Sequence, residues 1–264
     1  VTITYYDPLI GAGIERLITK KTKVVFTESP GSQTFEVQDM PAIAAAAHAA
    51  GAVVILDNTW ATPLYYKSFA HGADVSIQAA TKYIVGHADA MLGAITMTEE
   101  TAPAVAKTHE DLGLCPGPED VYLGLRGLRS LGVRLERHQQ SGLELARWLA
   151  ERPEVERVLH PALPSHPSHA LWTRDFTGAS GLFSIVLKPV SHARLAAMLD
   201  GLELFGMGYS WGGFESLILP FDPRAYRTAT TWQAEGPAVR LHVGLEDVDD
   251  LKADLDAGFA RLRA

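Results

Sequence analysis

Apolar residues in the first hundred positions come in short uninterrupted runs separated by helical text. In "KVVFTESP" residues 24–26 are apolar, and in "VVILDNTW" residues 53–56 are apolar. Runs of that length are expected of strands covered on both faces in a parallel sheet. Between them the alanine-rich "MPAIAAAAHAAGA" has Pro41 in its first turn and closes at Gly51, the marks of a crossover helix. The three pieces predict one strand–helix–strand unit. Val75 and Ile77 then alternate with polar neighbours, and "MLGAITMT" adds another apolar run, so four strands are expected before residue 100.

From residue 119 the pattern changes to "EDVYLGLRGLRSLGVRLERHQQSGLELARWLAE", which favours helix and ends at Arg152-Pro153. A domain boundary is expected inside it, dividing 1–128 from 129–264. Beyond it "GLFSIVLK", "ESLILPF" and "AVRLHVGLE" predict strands of a second sheet. The last segment, "DVDDLKADLDAGFARLRA", sets Leu251, Leu255, Phe259 and Leu262 on one helical face, with Asp247, Asp249 and Asp250 at the end where the helix dipole favours them.

Composition narrows the function classes. The chain has 264 residues, 47% apolar and 20% charged, enough for a large core or two ordinary domains. Lys and Arg number 23 against 31 Asp and Glu, and the net charge of −8 argues against a non-specific nucleic-acid binder. Cys115 is the one cysteine, so no intrachain disulfide forms, and a reducing, cytoplasmic setting is expected. No apolar run is long enough to span a bilayer, and "VTITYYDPLI" lacks the order of a signal peptide. The chain opens on Val1, and reads as a fragment or a processed product.

The candidate chemistry lies in "SIQAATKYIVGHADAMLG". Ligands of open α/β sheets collect outside the carboxyl ends of the strands. Asp57 ends one predicted strand and Lys82 follows another by a few residues, so a carboxylate and an amine should face one crevice. Pyridoxal phosphate needs that pair: its aldehyde condenses with a lysine amine, and a carboxylate keeps its ring nitrogen protonated. Thr81 offers a hydroxyl to the phosphate, and Gly86 and Gly93 suit a backbone that turns or comes close to its neighbours. Spacing by itself leaves open that Asp57 is a strand-end cap and Lys82 a solvated surface residue.

A resemblance goes further. "VVILDNTWATPLYYKSFAHGADVSIQAATKYIVGHADAMLG" resembles the signature region of the Cys/Met-metabolism family of pyridoxal-phosphate enzymes. The likeness continues through "ESPGS", "RGLRSLGVRLERH", "HPALP", "RDFTGASGLFS", "YSWGGFESLI" and "VRLHVGLEDVDDL", nearly the whole chain. It implies an α/β, aspartate-aminotransferase-like fold, with 1–128 as the C-terminal part of the cofactor-binding large domain and 129–264 as a smaller α+β domain. It implies that Lys82 forms the Schiff base, Asp57 pairs with the ring nitrogen and Thr81 helps hold the phosphate. Arg240 matches the arginine that takes the substrate α-carboxylate, and Tyr209, Ser210 and Trp211 match the loop lining the substrate pocket.

The family's γ-acting members read "SLGG" where this chain has "SWGG", and "ESPTNP" where it has "ESPGS". Both differences imply a carbon–sulfur lyase working by β-elimination on cystathionine or cystine, as in methionine biosynthesis, and a homodimer or homotetramer as the working form. Ala79 and Ala88 stand where many members carry Ser, which removes one expected phosphate contact. The family's phosphate loop, ring-stacking tyrosine and intersubunit arm have no counterparts between Val1 and Ala264, so weak cofactor retention and an exposed apolar sheet edge are expected of these residues alone. A non-catalytic relative that only assembles with intact subunits is the alternative.

Other patterns point elsewhere. "GYSWG" fits the G-x-S-x-G elbow of serine hydrolases, with Asp222 and His242 following Ser210 in the expected order, but a strand-like run follows where a helix is required. His160, His166 and His169 lie among Pro161, Pro164 and Pro167 without ligand spacing, and are expected in a solvated loop rather than a metal site.

Overall fold

Two sheets joined by one long helix organise the chain, and the computed structural model describes residues 1–263. The first half contains β1 (Val24–Glu28), α1 (Met40–Ala49), β2 (Val53–Asp57), α2 (Thr62–Tyr65), β3 (Val75–Ala79) and β4 (Gly93–Met97). Their sheet runs β1-β2-β3-β4, with the first three strands parallel and β4 antiparallel to β3. The crossover helix α1 begins as its sequence predicts, with Asp39 accepting from Ala42 N and proline in the first turn. Ile43 and Ala47 of α1 join Val25, Val54 and Leu56 in one core.

The expectation that these strands are covered on both faces does not hold. Alternate residues of β1 are bare: Val24 and Phe26 are 49% and 55% exposed, and Ile95 of β4 is 45% exposed. No element among the described residues packs on that face, so the apolar run of β1 is two-sided in sequence and one-sided in burial. β1 is also the sheet's edge, as the expected exposed apolar edge requires.

Helix α3 (Ala102–Asp111) buries no residue. Helix α4 (Pro118–Ala150) is 33 residues, about 50 Å long, and runs unbroken through residue 128. Glu119 and Asp120 occupy its first turn. Val121, Tyr122, Leu125 and Leu128 in its first half are exposed, whereas Leu135, Leu145 and Leu149 in its second half are fully buried.

The second half contains β5 (Val155–Leu159), α5 (His169–Asp175), β6 (Leu182–Leu187), α6 (His192–Asp200), β7 (Gly206–Met207), β8 (Leu217–Phe221), β9 (Ala238–His242) and α7 (Val248–Arg263). The sheet order is β5-β6-β9-β8-β7, antiparallel except between β7 and β8. The four apolar residues predicted for the terminal helix face are all buried, packed with Phe183, Ile185, Val239 and Leu241. That face is what anchors α7 to the sheet.

The proline-rich loop after β5 departs from its expectation. His160 is fully buried and His166 nearly so. Their Nδ1 atoms accept Ala162 N at 3.2 Å and Ser168 N at 3.1 Å, and the His160 ring lies 5.4 Å from that of Phe183. The prolines make turns here, and the imidazoles close those turns from inside. Burial pushes His160 down to about 3 and His166 down to about 4, so both are neutral.

Candidate active site

The carboxyl ends of β1, β2 and β3 define one rim of the crevice. Register places Glu28 opposite Asp57 and Asp57 opposite Ile77, so two carboxylates end neighbouring parallel strands on the same face. Asp57 Oδ1 accepts from Thr59 N at 2.9 Å and from the Thr59 hydroxyl at 2.6 Å. The Thr59 hydroxyl oxygen in turn accepts from Ala79 N at 2.8 Å, and Ala79 O accepts from Lys82 N at 2.9 Å. Asp57 and the lysine turn are thus tied by a short relay at the same end of the sheet. Asp57 Oδ2 takes no hydrogen bond from the described residues.

Lys82 sits in the turn after β3. Its Nζ donates to Ser210 Oγ at 2.6 Å and lies 5.4 Å from the centre of the Trp211 ring. Burial, and secondarily the charge of Arg240, hold the amine below its ordinary range. Thr81 stands beside it, but its hydroxyl donates to Leu92 O and accepts Leu92 N. That exchange closes the turn, and the donor is not turned toward open space.

The turn is braced from α4. Arg134, 7% exposed, donates to Tyr83 O at 2.8 Å, Ile84 O at 3.1 Å and Gly127 O at 2.8 Å. A Cβ on Gly127 would stand 2.2 Å from Ile84 O, so only glycine allows the helix this close.

The opposite rim comes from the second sheet. Arg240 of β9 is 4% exposed and donates to Ser32 O and Tyr209 O, with its guanidinium 5.0 Å from the centre of the Tyr209 ring. Burial lowers its proton affinity, against the opposing pull of Tyr209, Tyr226 and Glu28. Tyr209 is exposed, and its hydroxyl accepts from Gln33 Nε2. The structure therefore brings Lys82, Ser210, Trp211, Tyr209 and Arg240 into one contiguous group, with Asp57 linked to it through Thr59 and Ala79.

Glu28 has no role in the sequence-based expectation. It is held by hydrogen bonds to Ser32, and burial, then the nearby Asp57 charge, push its carboxyl up to about 7. The available signal was a carboxylate ending each of two predicted parallel strands. A cavity of about 290 Å³ opens beside it, lined by Ser32, Glu36, Tyr209, Tyr226 and Arg227.

The serine-hydrolase arrangement is absent. Ser210 Oγ is taken by Lys82, Asp222 pairs with Arg224, and His242 Nε2 meets the backbone of Gly212 and Gly213. No helix follows Ser210; the chain bends and enters β8.

Pyridoxal phosphate fits this set of groups. A half-buried amine with depressed proton affinity and a carboxylate oxygen without a partner stand at the same end of the sheet, joined by the relay above. Asp57 Oδ2 would hold the ring nitrogen and Lys82 Nζ the aldehyde carbon.

Comparison with known proteins agrees. A family profile described as Cys/Met metabolism PLP-dependent enzyme matches residues 1–260. Cystathionine beta-lyase MetC of Escherichia coli K12 is 51% identical over 99% of this chain and 68% of its own length. Cystathionine beta-lyase of Salmonella typhimurium is 50% identical with the same coverage. The crystal structure of cystathionine gamma synthase from Xanthomonas oryzae pv. oryzae, in complex with aminoacrylate and cysteine, superposes with a TM-score of 0.83 at 35% identity, over 91% of this chain and 64% of that one. The chain thus spans about two thirds of the length of these relatives. Its fold is the aspartate-aminotransferase-like fold expected from the sequence, and the chain belongs to the Cys/Met metabolism family of pyridoxal-phosphate-dependent enzymes.

Proposed function

We propose that the chain acts as a carbon–sulfur lyase, cleaving L-cystathionine by β-elimination, with uptake of one water, to homocysteine, pyruvate and ammonia. The observation that carries the reading is the grouping of Lys82, Ser210 and Arg240 at the crevice, with Asp57 tied to the Lys82 turn. Pyridoxal phosphate, when bound, supplies an aldehyde for the amino group and a cationic ring that accepts the electron pair left at Cα.

The chain's own groups do the rest. Arg240 takes the substrate α-carboxylate through its planar pair of donors, exchanging its present bonds to Ser32 O and Tyr209 O. The Lys82 amine, whose proton affinity burial lowers, takes the Cα proton at Nζ and returns a proton toward the departing sulfur. Ser210 holds that amine at rest, with the Trp211 ring centre 5.4 Å from it. Asp57 keeps a negative charge at the ring nitrogen. Thr81 reaches a phosphate only by giving up its bond to Leu92 O.

Trp211 and the "ESPGS" segment, both features of the β-acting branch, support β- over γ-elimination. We take the working form to be a cytoplasmic homo-oligomer bound to no nucleic acid or membrane. The bare apolar face of the first sheet and the exposed free thiol of Cys115 support that form. No helix among the described residues is long and apolar enough to cross a membrane.

The test is to add pyridoxal phosphate to the purified chain and record the visible absorbance of a lysine-bound cofactor, then keto-acid release from cystathionine. Wild type is expected to show the band and Lys82→Ala to lose it. A chain that shows no band, or a band that survives Lys82→Ala, overturns the reading and leaves a relative that only assembles with intact subunits.

A further inference from the structure

Behind the Lys82 turn lies a sealed polar cluster that the proposed chemistry leaves unused. His138 of α4 is 0% exposed and His242 of β9 is 1% exposed, with ring centres 5.3 Å apart. The Tyr83 ring lies 5.2 Å from the first and 5.9 Å from the second. His138 Nδ1 is 2.8 Å from Val243 O, a bond only an N–H can make, so its Nε2 is a bare lone pair. That Nε2 has no partner, and neither does His242 Nδ1.

Nε2 of His242 lies 3.1 Å from Gly212 N and 3.1 Å from Gly213 O. With the ring proton on Nδ1, Nε2 accepts from the buried Gly212 N–H; with the proton on Nε2, it donates to Gly213 O. Either tautomer ties the ring to the backbone at residues 212 and 213. Burial pushes His138 down to about 4 and His242 down to about 3, so both rings keep one proton each at neutral pH.

Gly212 is where this matters. Its φ is +81°, and a Cβ there would stand 2.8 Å from Lys82 Cβ and 3.0 Å from the Lys82 backbone. The residues before it, Tyr209, Ser210 and Trp211, are the ones arranged around Arg240 and Lys82. We propose that His242 is a positioning residue that holds the 208–214 loop against the Lys82 turn through the contact of its Nε2 with the backbone of Gly212 and Gly213. This rests on the reading of Lys82 as the reactive amine.

The experiment compares His242→Phe, which keeps a ring and removes Nε2, with His242→Gln, whose side-chain amide reaches the position of Nε2. Chymotrypsin cleavage after Tyr209 and Trp211 reads the loop directly, without turnover. His242→Phe is expected to be cut about tenfold faster and to raise KM about tenfold with a smaller change in kcat, as loss of one buried hydrogen bond implies. His242→Gln is expected to restore both. Should His242→Phe fail to fold, His242→Asn, whose shorter amide falls short of Gly212, still decides, with faster loop cleavage expected there.

Wild-type cleavage rates in a folded His242→Phe or His242→Asn, or failure of Gln to restore them, overturns the proposal. Failure of the Lys82 reading would show separately, as a cofactor band indifferent to Lys82→Ala with loop cleavage unchanged.

Discussion

Replacing Glu28 with glutamine should stabilise the chain, and only on the alkaline side. Glu28 is held near 7 rather than its ordinary 4.5, first by burial and then by Asp57 opposite it, against the lowering effect of Ser32 and Arg240. Between those two values the folded chain holds a proton that the unfolded chain has released, so stability falls as pH rises from about 4.5 to 7. The rise corresponds to about 3 kcal/mol, incurred in full above pH 7. Glu28→Gln keeps the shape and the carbonyl acceptor and has nothing to ionise. Its advantage over wild type should be near zero at pH 4, about 1 kcal/mol at pH 5 and about 3 kcal/mol at pH 8. Urea unfolding followed by tryptophan fluorescence at several pH values measures the difference, and the buried histidines, common to both proteins, cancel. A difference that stays flat across that range would refute the placement of Glu28 as a carboxyl kept neutral beside Asp57.

Further outcomes are open to direct measurement. His138, His160, His166 and His242 are all held below their ordinary range by burial, so protons taken up only on unfolding should erode stability as pH falls from about 6.5 toward 4; an aromatic circular-dichroism signal unchanged over that range would contradict this. Arg134→Met leaves Tyr83 O and Ile84 O of the Lys82 turn without this donor and removes its bond to Gly127 O of α4; it should cost about 2–4 kcal/mol in urea unfolding, whereas a loss under 1 kcal/mol would mean the clamp is dispensable. Arg240→Lys, in the cofactor-loaded chain, should raise KM for the amino-acid substrate about a hundredfold with kcat less affected, because an ammonium cannot form the paired bonds of a guanidinium. An unchanged KM would remove Arg240 from substrate binding.

Much of the fold is legible because its elements announce themselves locally. The apolar runs at residues 24–26 and 53–56, the proline-led Ala-rich helix and the four-residue spacing of Leu251, Leu255 and Phe259 each carry their own period. Strand β5 is not legible: "VERVL" interrupts its apolar residues with Glu156 and Arg157, both turned to solvent. The bare face of β1 is not legible either, because the same residues suit a covered strand and what lies against them is a tertiary fact. In the site, Asp57 and Lys82 are visible through their positions after predicted strands, and Arg240 through resemblance. Glu28 depends on the register of β1 against β2, and the ring contact of His138 with His242 joins residues 104 positions apart in the chain. His160 and His166 defy their pattern since proline-rich segments are usually wet, and here the prolines fold the imidazoles inward.

Helix α4 has a mechanical consequence. It grips the Lys82 turn near its middle through Arg134, touches β9's exit through His138, and ends wedged in the second core by Leu145 and Leu149. The jaw that carries the amine and the jaw that carries the guanidinium are therefore riveted to one girder. The spacing between the two jaws is set by this girder, and under the proposed function an amino acid held between Lys82 and Arg240 would meet a gap that α4 fixes.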